Sequence, residues 1–189
     1  MTALDDAGEI RTARLVLRPL REDDAAQIYP LLGQWEVIRM LTTPPWPYRQ
    51  TDAERFCRLR ARRTEDGPIT FALTLHSTLI GMIEAVFKPG QSPGPVYALA
   101  YWVGQPYWGK GLMSEAVRAF VTHVFQVNDA RLIVSVVLKE NAASLRIQEK
   151  LGFVRDEEKL IYSRPRGVEV PLITTKLSRE VFESASRGC

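Results

Sequence analysis

Histidine and cysteine are scarce in this sequence, with two residues of each among 189. Cys57 and Cys189 cannot form the disulfide framework that stabilises many small secreted domains. His76 and His123 lie far apart in the sequence and have no cysteine near them, so we expect no metal site. The scarcity therefore argues against a disulfide scaffold and against a metalloenzyme.

Long apolar runs and an excess of charge of one sign are also missing. The longest apolar stretches, residues 96–103 and 132–137, are far shorter than the ~20 residues of a membrane-spanning helix. The opening residues are acidic and lack the apolar region of an export signal, so we expect a cytoplasmic protein. The 25 Lys and Arg residues nearly balance the 22 Asp and Glu residues and form no basic stripe, which argues against nucleic-acid and membrane partners.

The first third of the chain predicts a strand, a short helix, a loop and a second helix. Residues 10–20 alternate between polar and apolar, which is the pattern of a strand with one buried face. The segment TTPPWPY, residues 42–48, is too rich in proline for regular structure and is expected to be a loop. Thr51 and Glu54 have the spacing of a capping box and predict a helix that ends near Arg63.

The rest of the chain predicts a hairpin, a strand–helix–strand unit and two closing strands. A one-sided apolar pattern that starts at Leu112 indicates a long helix. Asn141 can cap a short helix that ends at Leu151, where Gly152 supplies a left-handed residue. We therefore expect one α+β domain over residues 1–189, with a mixed, mostly antiparallel sheet of about six to seven strands and about four helices. The predicted strands after the first cover residues 69–75, 79–87, 96–103, 131–138, 158–163 and 168–176.

The segment most indicative of chemistry is QPYWGKG, residues 105–111, which joins a predicted strand to the long helix. Gly109 and Gly111 permit a sharp turn there, and the backbone N–H groups that follow lie at a helix N-terminus. Such N–H groups and the helix dipole bind anions, and Lys110 adds a positive charge. A tight connection without a ligand would use the same residues, so the segment alone leaves both interpretations open. The segment matches neither the ATP-binding loop nor the dinucleotide fingerprint, because Gly111 stands where the first needs Ser or Thr and Ser114 where the second needs glycine.

Two blocks of the sequence are informative together: YWVGQPYWGKGLMSEAVRAF, residues 101–120, and VLKENAASLRIQEKLGFV, residues 137–154. In this order they resemble the cofactor-binding core of the GNAT acetyltransferase superfamily. The segment RTARLVLRPLREDDA and residues 35–41 further resemble the branch of ribosomal-protein N-terminal acetyltransferases. The resemblance covers nearly the whole chain and implies a GNAT-like fold with splayed central strands. It departs from the family at Pro106, where a Gln or Arg usually begins the phosphate loop.

The resemblance implies an N-acetyltransferase that uses acetyl-coenzyme A and in which an amine attacks the thioester directly. The backbone of residues 108–113 would bind the pyrophosphate, and Val103 with its strand would pair with the pantetheine arm. Asn141 would contact the cofactor and Ser144 would help to protonate the leaving thiolate. A helix cap by Asn141 and a local hydrogen bond by Ser144 are the structural alternatives. The cofactor-binding residues implied are Val103, Trp108, Gly109, Lys110, Gly111, Leu112, Met113, Asn141 and Ser144.

Candidates for the acceptor side come from two strands and the proline-rich loop. Glu84 is the leading candidate for a general base if it points inward, and a solvated carboxylate if it points outward. Glu115 is a weaker candidate, because the helix dipole already explains an acid in the first turn. Tyr101 and Trp102 alternate along one strand, so we expect one to line the acceptor groove and the other to pack. Tyr101 and, from the loop, Trp46 are the candidate substrate-binding residues.

The acceptor expected from the resemblance is a primary amine, on a peptide N-terminus or a small molecule. A homodimer is compatible with the sequence. Two alternative functions remain open on the same scaffold. An antibiotic-modifying acetyltransferase would be favoured by an acidic acceptor cleft, whereas an acyl-coenzyme A sensing module would keep the phosphate loop and lack a productive acceptor site.

Overall fold

The computed structural model describes residues 8–62, 67–90 and 94–187, and these residues form one eight-stranded sheet. The strands are β1 (Ile10–Arg11), β2 (Val16–Pro19), β3 (Ile69–Leu75), β4 (Thr78–Lys88), β5 (Val96–Val103), β6 (Leu132–Leu138), β7 (Val154–Ser163) and β8 (Val168–Ser178). They lie in the order β1-β2-β3-β4-β5-β6-β8-β7, and among them β5 and β6 are the only parallel neighbours.

The α+β class and the mixed sheet are confirmed, but the expected six to seven strands become eight. The single strand predicted over residues 10–20 is divided by a turn, in which the N–H of Thr12 donates to the carbonyl of Leu15 over 2.9 Å. A side-chain pattern of period two continues across such a turn, so it does not reveal the break. The predicted hairpin and the strand over residues 96–103 are confirmed.

Six α-helices are present in the described ranges, two more than the four expected. The additions are a single turn, α2 (Trp35–Ile38), and α6 (Arg179–Arg187), which follows β8 without a glycine or proline to mark its start. None of these helices is long and apolar enough to cross a membrane. The helices are α1 (Ala25–Leu32), α2 (Trp35–Ile38), α3 (Gln50–Arg60), α4 (Leu112–Val127), α5 (Ala142–Glu149) and α6 (Arg179–Arg187).

Helix α3 begins and ends differently from the prediction. Its capping contact is made by Asp52, whose Oδ2 accepts from the N–H of Arg49 over 2.9 Å, and not by the predicted Thr51 and Glu54 pair. The helix ends at Arg60. The predicted end at Arg63 lies outside the described residues, as does Cys189. The helix therefore brings Arg60, in its last turn, to the sheet.

Apolar side chains cover both faces of the sheet. Helix α4 packs on one face, where the rings of Phe71 and Phe120 meet edge to face at a centroid distance of 5.8 Å. Helices α1 and α3 pack on the other face, around Ile28 and Trp102. Alternation along β5 sends Leu99 to the α4 face and Trp102 to the α1 face. The central strand is thus buried on both sides where the helices cover it.

The two parallel strands part half-way along their length, which confirms the expected splay. They pair from Val96 and Leu132 as far as Leu99 and Ser135. Beyond that point β5 stays paired with β4 up to Val103, and β6 stays paired with β8. The gap between the parted ends therefore has a firm strand on each side.

Candidate active site

A cleft of about 980 Å³ lies at the gap between β5 and β6. On the α4 face, residues at the starts of α4 and α5 line it, among them Gly111 and Ser144. On the opposite face it is lined by Thr42 and Thr43 of the proline-rich loop and by Glu84 of β4. The cleft therefore connects the two faces of the sheet through the gap.

The start of α4 presents a set of backbone N–H groups to this cleft. Gly109 and Gly111 both have a φ of 72°, the left-handed conformation that glycine adopts without strain. The first hydrogen bond of the helix runs from the N–H of Glu115 to the carbonyl of Gly111 over 3.1 Å. In the part of the chain that the structure describes, the N–H groups of residues 111–114 have no acceptor. An anion is the ligand that such a helix start favours.

The turn between β1 and β2 fastens this helix start in place. Glu115 Oε1 accepts from the hydroxyl of Thr12 over 2.6 Å and from the N–H of Arg14 over 2.9 Å, and Oε2 accepts from Arg14 Nε over 2.7 Å. Arg14 Nη1 also donates to the carbonyl of Lys110 over 2.9 Å. Although burial raises the pKa of the Glu115 carboxyl, the bonds from Thr12 and Arg14 outweigh it, so the pKa is lowered. The helix start and its glycine turn are thus held by one guanidinium and one carboxylate.

Helix α5 begins at the other side of the gap. The predicted cap is confirmed, since Asn141 Oδ1 accepts from the N–H of Ser144 over 3.1 Å. The Oγ of Ser144 lies 2.8 Å from the Oη of Tyr101 on β5. Burial raises the pKa of Tyr101 against the smaller effect of its hydrogen bonds with Ser144 and Gln148. Tyr101 is therefore a neutral phenol at neutral pH, hydrogen-bonded across the gap.

The two carboxylates that line the cleft, Glu84 and Glu140, are each paired with arginine. Glu84, whose side chain is 12% exposed, accepts through Oε2 from Arg60 Nε over 2.9 Å and from Thr70 Oγ1 over 3.3 Å. Glu140 Oε1 accepts from Arg166 and, over 3.2 Å, from Arg39. The bond from Arg166 lowers the pKa of Glu140 against the opposing effect of burial. Because three cations, Lys88, Arg146 and Lys150, also line the cleft, its described walls are not acidic overall.

The structure brings most of the predicted site residues to this cleft. Two of them, Lys110 and Trp46, are absent from its lining: Lys110 Nζ lies over the ring of Tyr107 at 5.8 Å, and Trp46 packs on Trp35 at a centroid distance of 4.9 Å. Their proposed roles stay predictions. The predicted residues that line the cleft are Glu84, Tyr101, Val103, Trp108, Gly109, Gly111, Leu112, Met113, Asn141 and Ser144.

Trp108 and Val103 are also tied to each other, because the indole Nε1 donates to the carbonyl of Val103 over 2.8 Å. Trp102, the neighbour of Tyr101, reaches the cleft from the opposite face of β5. Tyr101 and Trp102 therefore both contribute to the walls of the cleft.

Among the described residues, no group of three or more His, Cys, Asp or Glu side chains could hold a metal ion.

Sequence reasoning missed three residues at the site. Nothing in the sequence marks Arg14 or Arg60 as part of the site. Each contacts its carboxylate only in the folded chain, because the partner is 101 residues away for Arg14 and 24 residues away for Arg60. Gln148 is fully buried beneath the cleft. Its position four residues after Ser144 places both on one side of α5, and this spacing was the one signal available in the sequence.

The chain belongs to the GNAT acetyltransferase family, since the family's acetyltransferase (GNAT) domain matches residues 14–154. A relative, the SPbeta prophage-derived uncharacterized N-acetyltransferase YokL of Bacillus subtilis strain 168, is 26% identical over 171 residues, which cover 89% of this chain and 92% of YokL. Mycobacterium smegmatis RimJ, solved in complex with CoA-disulfide, is 21% identical with a TM-score of 0.78, covering 92% of this chain and 87% of RimJ. The microcin C7 self-immunity acetyltransferase MccE, solved with acetyl-CoA and AMP, is 15% identical with a TM-score of 0.78, covering 94% of this chain and 99% of MccE. The resemblance seen in the sequence is therefore confirmed.

The contacts of Glu115 predict a pH-dependent stability. Because the folded pKa of Glu115 lies below its ordinary value of 4.5, its ion pair stabilises the fold above that pH and loses this effect as the pH falls through the folded pKa. Urea unfolding should show Glu115→Gln to be less stable than the wild type near neutral pH, with the difference narrowing below pH 4.5. A difference that stays constant into acid would contradict the role of the charge.

Proposed function

We propose that this protein transfers an acetyl group from acetyl-coenzyme A to a primary amine by direct attack of the amine on the thioester. The observation that carries the proposal is the cleft that joins unpaired N–H groups on one face of the sheet to Glu84 on the other. A donor with a diphosphate and a long narrow arm suits such a passage. The complexes of RimJ with CoA-disulfide and of MccE with acetyl-CoA, in the same fold, support this choice of donor.

The donor half of the site uses the backbone at the start of α4 and the part of β5 that has parted from β6. Residues 108–113 would hold the pyrophosphate through their backbone N–H groups, at a helix start that the Arg14–Glu115 ion pair holds in place. The part of β5 beyond Leu99 is not paired with β6, so it can receive the pantetheine arm as an added strand. Asn141 and Ser144 would then lie near the thioester, where Ser144 can donate a hydrogen bond to the leaving sulfur.

The acceptor half is the face that carries Glu84. Both contacts of this carboxylate described above use Oε2, which leaves Oε1 for the amine. In this role Glu84 receives the proton that the amine loses. Tyr101 and Trp102 would border the reacting atoms from the two faces of β5. No covalent intermediate with the protein is needed, because the amine itself is the nucleophile.

The charges of the cleft favour an acceptor with one amine over a polycation. Glu84 and Glu140 are already paired with arginines, and three further cations line the walls. An aminoglycoside or polyamine would meet repulsion there, whereas the N-terminus of a peptide or a small monoamine would not. The amine-bearing partner is therefore proposed to be a peptide N-terminus or a small molecule, and antibiotic modification is the less favoured alternative.

Calorimetry with acetyl-coenzyme A, combined with thiol release over a panel of amines, tests the proposal. We expect binding, and thiol release with peptides that have a free N-terminus or with monoamines in preference to spermidine and kanamycin. Fast acetylation of the polycations instead would favour the antibiotic-modifying alternative. Tight binding with no acetylated amine would favour the sensing module, and absence of binding would contradict the proposal altogether.

Gly111→Asp tests the position of the pyrophosphate. Asn is the matched control, because Asp and Asn have the same size and both tolerate the left-handed backbone at this position. The Asp variant should bind acetyl-coenzyme A about tenfold more weakly than the Asn variant, since only Asp places a negative charge at the helix start. Calorimetry on variants of equal melting temperature measures the difference. Equal affinities would place the phosphates elsewhere.

Glu84→Gln tests the proposed base. The amide keeps the shape of the side chain but cannot accept a proton, so kcat should fall about 10- to 100-fold while the Kd of acetyl-coenzyme A stays unchanged. Glu36→Gln is the control, because Glu36 is an exposed carboxylate on α2 that does not line the cleft. Steady-state kinetics with the best acceptor of the panel give both values. A fully active Glu84→Gln variant would exclude Glu84 as the base.

A further inference from the structure

A chain of hydrogen bonds runs beneath the cleft from β8 to the start of α5. Thr175 Oγ1 lies 2.6 Å from Gln148 Oε1, and Gln148 Nε2 lies 3.0 Å from Ser135 Oγ and 3.3 Å from Tyr101 Oη. Tyr101 Oη in turn lies 2.8 Å from Ser144 Oγ. Thr175, Gln148 and Ser135 are buried, so water does not compete for these bonds. The chain ends at a hydroxyl that lines the cleft.

The direction of every bond in this chain follows from one carbonyl. Ser135 Oγ lies 3.0 Å from the carbonyl of Leu99, which can only accept, so the Ser135 proton is committed to it. Ser135 Oγ must then accept from Gln148, which fixes the NH₂ group of that amide toward Ser135 and Tyr101. Gln148 Oε1 consequently faces Thr175, which donates to it.

The same logic fixes the two hydroxyl groups at the cleft. Because Tyr101 Oη accepts from Gln148, its single proton is left for Ser144. The Oγ of Ser144, at 2.8 Å, is a better acceptor than its carbonyl oxygen at 3.4 Å. The shorter contact favours Ser144 Oγ as the acceptor of the phenol proton, which leaves the Ser144 proton free to point into the cleft.

We propose that Tyr101 is a positioning residue that turns the hydroxyl proton of Ser144 toward the departing sulfur. This inference rests on the proposed function, because it requires a thioester in the cleft. The neutral phenol is suited to the task, since it keeps its proton in the range in which the enzyme would work. Tyr101 itself acts through Ser144 and not on the substrate.

The leaving sulfur needs a hydrogen bond when the C–S bond breaks. When the tetrahedral adduct collapses, the C–S bond breaks and its electron pair stays on sulfur. The pKa of a thiol is near 8.5, so its thiolate is too weak a base to deprotonate an aliphatic alcohol fully. Ser144 therefore stabilises the thiolate by donating a hydrogen bond. The attacking amine gives up one proton, to Glu84 or to water, and the leaving thiolate takes up one proton to become a thiol. The number of protons is therefore unchanged over the reaction. No oxidant or metal is needed.

Tyr101→Phe tests the inference, with Tyr97→Phe as its matched control. Both changes remove one phenolic hydroxyl from the same face of β5, but Tyr97 donates to Asn128 Oδ1 over 3.3 Å and does not line the cleft. We expect Tyr101→Phe to lower kcat about tenfold, with KM and Kd for acetyl-coenzyme A changed less than twofold. Tyr97→Phe should leave kcat unchanged. The best acceptor of the amine panel serves as the second substrate, and melting temperatures show that both variants fold.

A double-mutant cycle with Ser144→Ala separates positioning from a structural role. If Tyr101 acts through Ser144, Tyr101→Phe should have less than a twofold effect once Ser144 is alanine. A further full tenfold loss in that background would overturn the inference, as would a Tyr101→Phe variant as active as Tyr97→Phe. These outcomes are measured against an active wild type. A wild type that acetylates no amine would instead contradict the proposed function, and the inference with it.

Discussion

The side chain of Ser135 closes the last parallel pair of the sheet by donating a hydrogen bond to the carbonyl of Leu99. A carbonyl satisfied in this way needs no further strand partner, so β5 and β6 can part beyond it without leaving a buried acceptor unpaired. The outer neighbours β4 and β8 continue to hold the parted ends. The gap is therefore an ordered feature with two firm walls, and every group of the candidate site is placed relative to it.

Each parted strand leads into the N-terminus of a helix, α4 after β5 and α5 after β6. Both helices lie on the α4 face of the sheet, so their starts meet at the crevice between the parted strands. Here the arrangement gives the two helix starts different tasks. The start of α4 keeps free N–H groups, whereas the start of α5 is capped by Asn141 and presents the hydroxyl of Ser144. Gln148, bonded to both Ser135 and Tyr101, links the apex of the gap to that hydroxyl.

Local signals in the sequence predicted the elements that frame the site, and long-range contacts decided the rest. Strand β5, the start of α4 and the Asn141 cap each depend on residues close in sequence, and all three agree with the structure. The partners of Glu84 and Glu115 could not be predicted, because each ion pair joins elements that only the fold brings together. Helix α6 was not predicted because a local signal is lacking: it follows β8 directly, with no glycine or proline between them.

In the proposed function, the charge on the acceptor face would influence which amines the site can use. At pH 7 a lysine amine with a pKa near 10.4 needs about 4.6 kcal/mol to lose its proton, whereas an α-amine with a pKa near 8 needs about 1.4 kcal/mol. Glu84 shares its Oε2 with Arg60 and Thr70, so in its proposed role as base it would have a single oxygen left to receive that proton. The guanidinium beside it also repels a second ammonium group on the acceptor. Under the proposed function, a site with so little spare negative charge would favour an acceptor with one amine that loses its proton easily. The α-amine of a peptide meets this condition better than a lysine side chain or a polyamine.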